Sequence, residues 1–147
     1  MAVSKVLFSS KSDEWATPSE VFEALDHEFD FELDVCATNE NHKCAKYFTP
    51  EQNGLSQKWG GGMRCFCNPP YSQIAEWVKK AYHESHEPGT VVVLLIPART
   101  DTKYFQEYIY HRAEVRFIKG RLKFGKSKNA APFPSMVVIF RAGGMTP

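Results

Sequence analysis

The sequence predicts an α/β fold, a mainly parallel sheet with helices on both faces. Three observations lead there. Strand-like and helix-like segments alternate along the chain, the pattern of parallel strands joined by crossover helices. Residues 90–96 form a continuous apolar run rich in β-branched side chains, as expected of a central strand buried on both faces. The last two strand-like runs, residues 113–118 and 135–140, are spaced as an antiparallel final pair. With 147 residues the chain suffices for one domain with a real core and is too short for two, so 1–147 is read as a single domain.

Each element has its own justification. Residues 1–12 are polar apart from Val6, Leu7 and Phe8 and are expected to be loosely held. Thr17 with Glu20 three positions later forms a capping box, with Pro18 at the favoured first helical position. Val21, Phe22 and Leu25 then give the helix one apolar face. Thr17 is either a cap alone or a hydroxyl that meets a carboxylate or phosphate at a helix N-terminus. Trp15 is either a core residue or a ligand-facing ring. Residues 29–35 alternate and then run apolar, predicting a strand that ends at Asp34-Val35-Cys36-Ala37. Asp34 is then a solvated strand-end carboxylate or a ligand contact of the kind open α/β sheets place there.

Residues 43–48 read as a helical turn followed by an extended piece. Residues 50–62 read as loop, with Asn53-Gly54 as a turn signal and Gly60-Gly61-Gly62 as its tip. A short strand over 63–67 leads into Asn68. Ser72 is placed to cap a helix whose buried face carries Ile74, Trp77, Val78, Ala81 and Tyr82, and Pro88-Gly89 ends it. Beyond the central strand, Pro97-Ala98-Arg99 leads to a helix with Tyr104, Phe105, Tyr108 and Ile109 buried. Between the last two strands lies Lys119 to Asn129, with five basic residues, one aromatic ring and two glycines.

A net charge of +1 excludes a global electrostatic attraction for nucleic acid, so any such contact must come from a local patch. That patch is Lys119 to Lys128 together with Arg99; the alternative for any single lysine is a solvated surface hairpin. No secretory signal and no long apolar segment is visible, so a cytoplasmic, non-membrane protein with reduced thiols is expected. Cys36, Cys44, Cys65 and Cys67 could form a zinc site with His42. However, they lack the paired C-x₂-C spacing of such sites, and buried free thiols without a metal are the expectation.

The stretch with the clearest chemistry is Asn68-Pro69-Pro70-Tyr71. Two prolines fix φ near −65° and remove two donors, leaving a stiff backbone with its carbonyls intact. An amide oxygen, a rigid carbonyl and a ring together suit a planar nucleobase with an exocyclic amine. The plain alternative is a Pro-Pro turn that ends a strand.

Asn-Pro-Pro-Tyr after a strand resembles the catalytic motif of methyltransferases that act on the amines of DNA bases. The whole series resembles the phage-type DNA N-6-adenine-methyltransferases, a Dam-related family. It runs through Trp15-Ala16-Thr17-Pro18, Leu33-Asp34-Val35-Cys36-Ala37, Asn53-Gly54-Leu55 with Trp59, Asn68-Pro69-Pro70-Tyr71, Leu95-Ile96-Pro97-Ala98-Arg99-Thr100 and Gly120-Arg121-Leu122-Lys123-Phe124. The resemblance implies a reduced, Rossmann-like class I methyltransferase sheet with an antiparallel final strand, S-adenosylmethionine as methyl donor, and DNA as substrate. It implies catalytic roles for Asn68, Pro69, Pro70 and Tyr71. Trp15, Thr17, Pro18, Asp34, Ala37, Asn53 and Leu55 would serve the donor. Arg99, Arg121, Lys123, Lys126 and Lys128 are the candidate DNA contacts. A phage-encoded protein of this kind would work in the host cytoplasm. The chain departs from larger methyltransferases in three ways: no glycine follows Asp34, residues 38–62 are too few for two strand–helix units, and no separate target-recognition domain fits. N4-cytosine methylation, a non-catalytic DNA-binding decoy, and methylation of RNA or of a protein glutamine remain the competing readings.

Overall fold

A computed structural model describes residues 16–125 and 129–142. The expectations for residues 1–12, Trp15, Lys126 and Lys128 fall outside the described residues. The elements in chain order are helix α1 (Ser19–Phe29), strands β1 (Leu33–Asp34), β2 (Lys46–Tyr47) and β3 (Arg64–Cys67), helix α2 (Ile74–Glu84), and strands β4 (Val91–Pro97), β5 (Glu114–Phe117) and β6 (Ser135–Arg141). The described strands form one six-stranded sheet in the order β2-β1-β3-β4-β6-β5. The four strands from β2 to β4 are mutually parallel, and β6 runs antiparallel to both β4 and β5. The mixed α/β architecture and the antiparallel final strand are as the sequence indicates. The final strand inserts between β4 and β5 rather than adding at the edge.

Alternation along the strands sorts the core into two halves. Cys65, Cys67, Val92, Leu94, Ile96, Met136, Val138 and Phe140 face α2 and its Ile74, Trp77, Val78 and Ala81. Phe66, Val93, Leu95, Val137 and Ile139 face α1, which contributes Phe22, Leu25 and Phe29. Residues Val92 to Ile96 are all 0% exposed, which confirms the central strand. Arg116 clamps α1 to the sheet through Glu28 at 2.6 and 2.7 Å and also reaches Glu114 at 2.6 Å.

Several elements differ from expectation. The helix α1 extends to Phe29, and only Leu33–Asp34 pair as a strand. The Asp26 carboxylate accepts from the Phe31 backbone at 2.9 Å, and Asp30 turns left-handed at φ 54°. Phe31 therefore leaves the helix to pack on Phe22 and Phe66, with ring centroids 5.6 and 5.3 Å away, and the apolar run is a corner rather than a strand.

The capping box does not form. Pro18 is the N-cap, the helix starts at Ser19, and no side chain caps it. Ser72 lies in a 3₁₀ turn, Tyr71–Gln73, so α2 begins only at Ile74, with Gln73 as N-cap. Residues 105–109 make a single π-helical turn, closed by the Tyr110 N–H on the Phe105 carbonyl at 2.8 Å. The wide turn still buries Phe105 and Ile109 as expected.

Cys44, Cys65 and Cys67 are buried free thiols, while Cys36 is half-buried. Burial pushes the Cys44 and Cys65 thiols up to about 12. Among the described residues no cluster of His, Cys, Asp and Glu is arranged to hold a metal ion, and no helix is long and apolar enough to cross a membrane.

Candidate active site at the strand-order reversal

From β1 the chain moves outward to β2, then returns across β1 to β3. The order reverses between β1 and β3, and in open α/β sheets the crevice beyond the C-terminal strand ends at such a point is where ligands bind. Parallel pairing aligns Asp34 with Phe66, so the β1 end and the Asn68 tetrad sit side by side at this crevice.

On the β3 side, Cys67 is fully buried and delivers Asn68 to the strand end. The Asn68 Nδ2 donates to Thr17 Oγ1 at 2.9 Å. An amide has its donor and acceptor on opposite edges, so in this orientation Oδ1 faces away from Thr17. Pro69 is buried, and Pro70 is extended at φ −63°, ψ 135°. The Gln73 N–H closes the following turn on the Pro70 carbonyl at 3.0 Å. The Tyr71 ring is gripped edge-to-face by Phe133, centroid 5.2 Å away, and by Phe124 at 6.4 Å. Burial raises the Tyr71 phenol, so it stays neutral, and its next largest influences are the Arg99 charge and Tyr104. Arg99 thus stands beside the tetrad at the end of β4, its carbonyl taken by the Thr102 hydroxyl at 2.8 Å.

The basic segment belongs to the same wall. Lys119, Arg121 and Lys123 are exposed, whereas Phe124 is buried against Tyr71 and Phe133. The loop is closed by the Ala131 N–H on the Leu122 carbonyl at 2.7 Å, and the Gly125 N–H donates to the Ala16 carbonyl at 2.9 Å. Residues 16–17 are therefore pinned to this loop on one side and to Asn68 on the other.

The β1 side is built differently. The Asp34 carboxylate is 3% exposed and turns into its own loop, where Oδ2 accepts from Lys43 N at 3.0 Å and Oδ1 from Cys36 N at 3.4 Å. Burial outweighs those bonds and lifts the Asp34 carboxyl to about 6. Within the loop, Thr38 N–H donates to Asn41 Oδ1 at 2.8 Å and Asn41 N–H to Thr38 Oγ1 at 3.1 Å. The Ala37 N–H reaches the Phe48 carbonyl beyond β2 at 3.0 Å. These side-chain bonds brace a turn that contains no glycine. A groove of about 550 Å³ opens beside it, lined by Asn39, Lys46, Tyr47, Thr49, Glu51 and Gln52.

Asn53 and Leu55 are placed by the glycine between them. Asn53 is left-handed at φ 54° and its Oδ1 accepts from Leu55 N at 3.3 Å. A Cβ on Gly54 would lie 2.2 Å from the Val35 carbonyl oxygen and 2.9 Å from the Trp77 ring. The Gly54 carbonyl accepts from the buried Trp59 indole at 2.9 Å. This segment therefore lies flat on the end of β1, with Asn53 exposed and Leu55 half-buried against the core.

The chain matches the family model described as DNA N-6-adenine-methyltransferase (Dam) over residues 4–144. The chain belongs to this family. It is 34% identical over 139 residues to the DNA N-6-adenine-methyltransferase of Haemophilus phage HP1, an alignment spanning 89% of this chain and 80% of that protein. It is also 36% identical over 111 residues to the DNA N-6-adenine-methyltransferase of Escherichia phage T1, spanning 75% of this chain and 46% of the phage protein.

Within this Dam-family chain, the structure brings Thr17, Pro18, Asn68, Pro69, Pro70, Tyr71 and Arg99 together. Asp34, Ala37, Asn53 and Leu55 gather at the neighbouring strand end. Arg121 and Lys123 stand on the loop that carries Phe124. Sequence reasoning gave no site role to Phe124, Phe133 or the Thr38–Asn41 pair. The signal for Phe133 was its place between Pro132 and Pro134. The reciprocal Thr38–Asn41 spacing of three residues was the signal for the loop brace.

Proposed function

We propose that this chain is a DNA adenine-N6 methyltransferase that uses S-adenosylmethionine, built on a reduced class I methyltransferase sheet. The observation that carries the reading is the position of Asn68-Pro69-Pro70-Tyr71, at the end of β3 beside the reversal of strand order. The sheet supports the reduction. Residues 38–62 hold one two-residue strand and one 3₁₀ turn where a full unit would need helices, and an antiparallel β6 lies inside the β5 edge.

The residues fit the donor. Its carboxylate matches the uncapped start of α1, where the Ser19 and Glu20 amide N–H groups have no intrahelical acceptor, together with the buried Thr17 hydroxyl. Thr17 and that first turn would hold the amino-acid end. Residues 34–37 and the segment around Asn53 and Leu55 would form the other wall. When bound, S-adenosylmethionine supplies a methyl group activated by its sulfonium.

The protein's own part is positioning. A target adenine must be flipped from the duplex or met unpaired. Tyr71, neutral and held by Phe133 and Phe124, offers a stacking ring worth about 1–3 kcal/mol. Asn68 Oδ1 and the Pro69 carbonyl each accept one amine hydrogen, which localises the nitrogen lone pair and aims it. No general base is required, because the proton leaves after transfer. Arg99, Arg121 and Lys123, with Lys126 and Lys128, take the phosphates.

The test is a methyl-transfer assay on unmethylated DNA followed by digestion to nucleosides. N6-methyladenine is expected. N4-methylcytosine would overturn the adenine assignment, and absence of both methyl transfer and donor binding would favour the non-catalytic reading.

A further inference from the structure

We infer that Thr17 is a positioning residue that couples the donor and base halves of the site, using one hydroxyl to decide which edge of the Asn68 amide faces the base. The inference rests on the donor reading above and concerns what Thr17 does for Asn68. Asn68 Nδ2 donates to Thr17 Oγ1 at 2.9 Å, and Thr17 is only 6% exposed. The backbone of Thr17 is held from both sides. Ala16 is bonded to Gly125, and Pro18 accepts from Val21 and Phe22 at 3.1 Å each.

A hydroxyl can donate one hydrogen bond and accept two, and an amide has nearly the same shape in its two flipped orientations. Thr17 alone is therefore compatible with either. If it donates to Asn68, the amide turns its NH₂ toward the base, and two donors face each other at the amine. If the Thr17 proton is engaged by an anion, only its lone pairs remain for Asn68. Nδ2 must then face Thr17, and Oδ1 is turned to accept from the amine. A carboxylate at the start of α1 is such an anion. Donor binding thus holds Asn68 in the reactive orientation that the structure shows, against the flipped alternative, and by linkage a correctly seated adenine tightens donor binding by the same factor.

The coupling is read at equilibrium with S-adenosylhomocysteine, which keeps the carboxylate and lacks the methyl group. Affinity of the full chain for a duplex that the wild type methylates is measured by fluorescence anisotropy, with and without saturating S-adenosylhomocysteine. The wild type should bind that duplex about tenfold more tightly in its presence, the scale of one hydrogen bond to a charged group. Thr17→Ser should keep the coupling; folded Thr17→Val, lacking the hydroxyl that meets the carboxylate, should bind S-adenosylhomocysteine more weakly, and saturating S-adenosylhomocysteine should leave its duplex affinity unchanged. Coupling retained in Thr17→Val overturns the inference and leaves the donor reading intact. Failure of the wild type to bind S-adenosylhomocysteine overturns both. A second variant covers the case where Thr17→Val does not fold. In Asn68→Asp the side chain can only accept, so it competes for the Thr17 proton, and S-adenosylhomocysteine should bind about tenfold more weakly. Unchanged affinity there also overturns the inference.

Discussion

The ends of β1 and β3 lie side by side in one sheet, yet they are held in place by opposite means. The β3 end is stiffened by covalent constraint and hydrocarbon. Pro69 and Pro70 fix the backbone, and Phe124 and Phe133 grip the ring of Tyr71. The β1 end is held by hydrogen bonds that converge on one buried carboxylate, Asp34, and on the Thr38–Asn41 brace. The first kind of support is indifferent to pH. The second carries a titratable group at its centre. The half proposed to aim a base is therefore rigid by construction, and the half proposed to hold the donor is shaped by polar contacts that solution conditions can change.

The largest expected effect breaks the rigid half. Asn68→Ala should lower kcat by about 10³-fold or more, the scale of losing a preorganised hydrogen-bonding group. Donor affinity should change far less, since in the proposed site the amide serves the base; calorimetry with S-adenosylmethionine checks the split. Loss of donor binding as large as the loss of turnover would contradict it.

Next is the seam between the halves. Gly54→Ala should cost about 3 kcal/mol of stability, because the new methyl group would press on the Val35 carbonyl, which belongs to backbone and cannot swing away. Chemical denaturation of the two proteins measures it.

The pH test addresses the polar half. The folded Asp34 carboxyl titrates at about 6, above its ordinary 3.8, so the fold favours the protonated form. Its contribution is fully present below pH ~4 and is lost as pH rises through ~6, at most about 3 kcal/mol. Asp34→Asn should remove that slope from the stability-versus-pH curve between those limits. A variant curve parallel to the wild type would place the titration elsewhere.

The smallest effect lies at the rim. Replacing Arg121 and Lys123 together by alanine should weaken DNA binding modestly and reduce the salt slope by about 0.9 for each phosphate that is no longer neutralised. An unchanged slope would move the phosphate contacts to other residues.

How much of this was legible beforehand depended on the range of the interactions involved. The β4 strand was readable because an uninterrupted apolar run needs burial on both faces, and the tetrad because two adjacent prolines constrain the chain wherever it goes. Residues 29–35 misled because Phe29 and Phe31 alternate like a strand, while Phe66, on which Phe31 packs, lies far along the chain. The loop after Asp34 was opaque for a related reason. Its turn depends on a carboxylate reaching Lys43, nine residues away, rather than on glycine.

The sequence by itself determined the order of elements, the central strand, the stiffness of Asn68-Pro69-Pro70-Tyr71 and the family resemblance, all properties of local covalent structure and pattern. Only the tertiary structure decided what Thr17 does. A threonine three residues before a glutamate satisfies a capping box as well as any other. In the folded chain Asn68, 51 residues away, takes the hydroxyl instead, and Pro18 starts the helix without a side-chain cap. Local pattern cannot choose between those partners, because the choice depends on which buried polar group the fold brings within hydrogen-bonding distance.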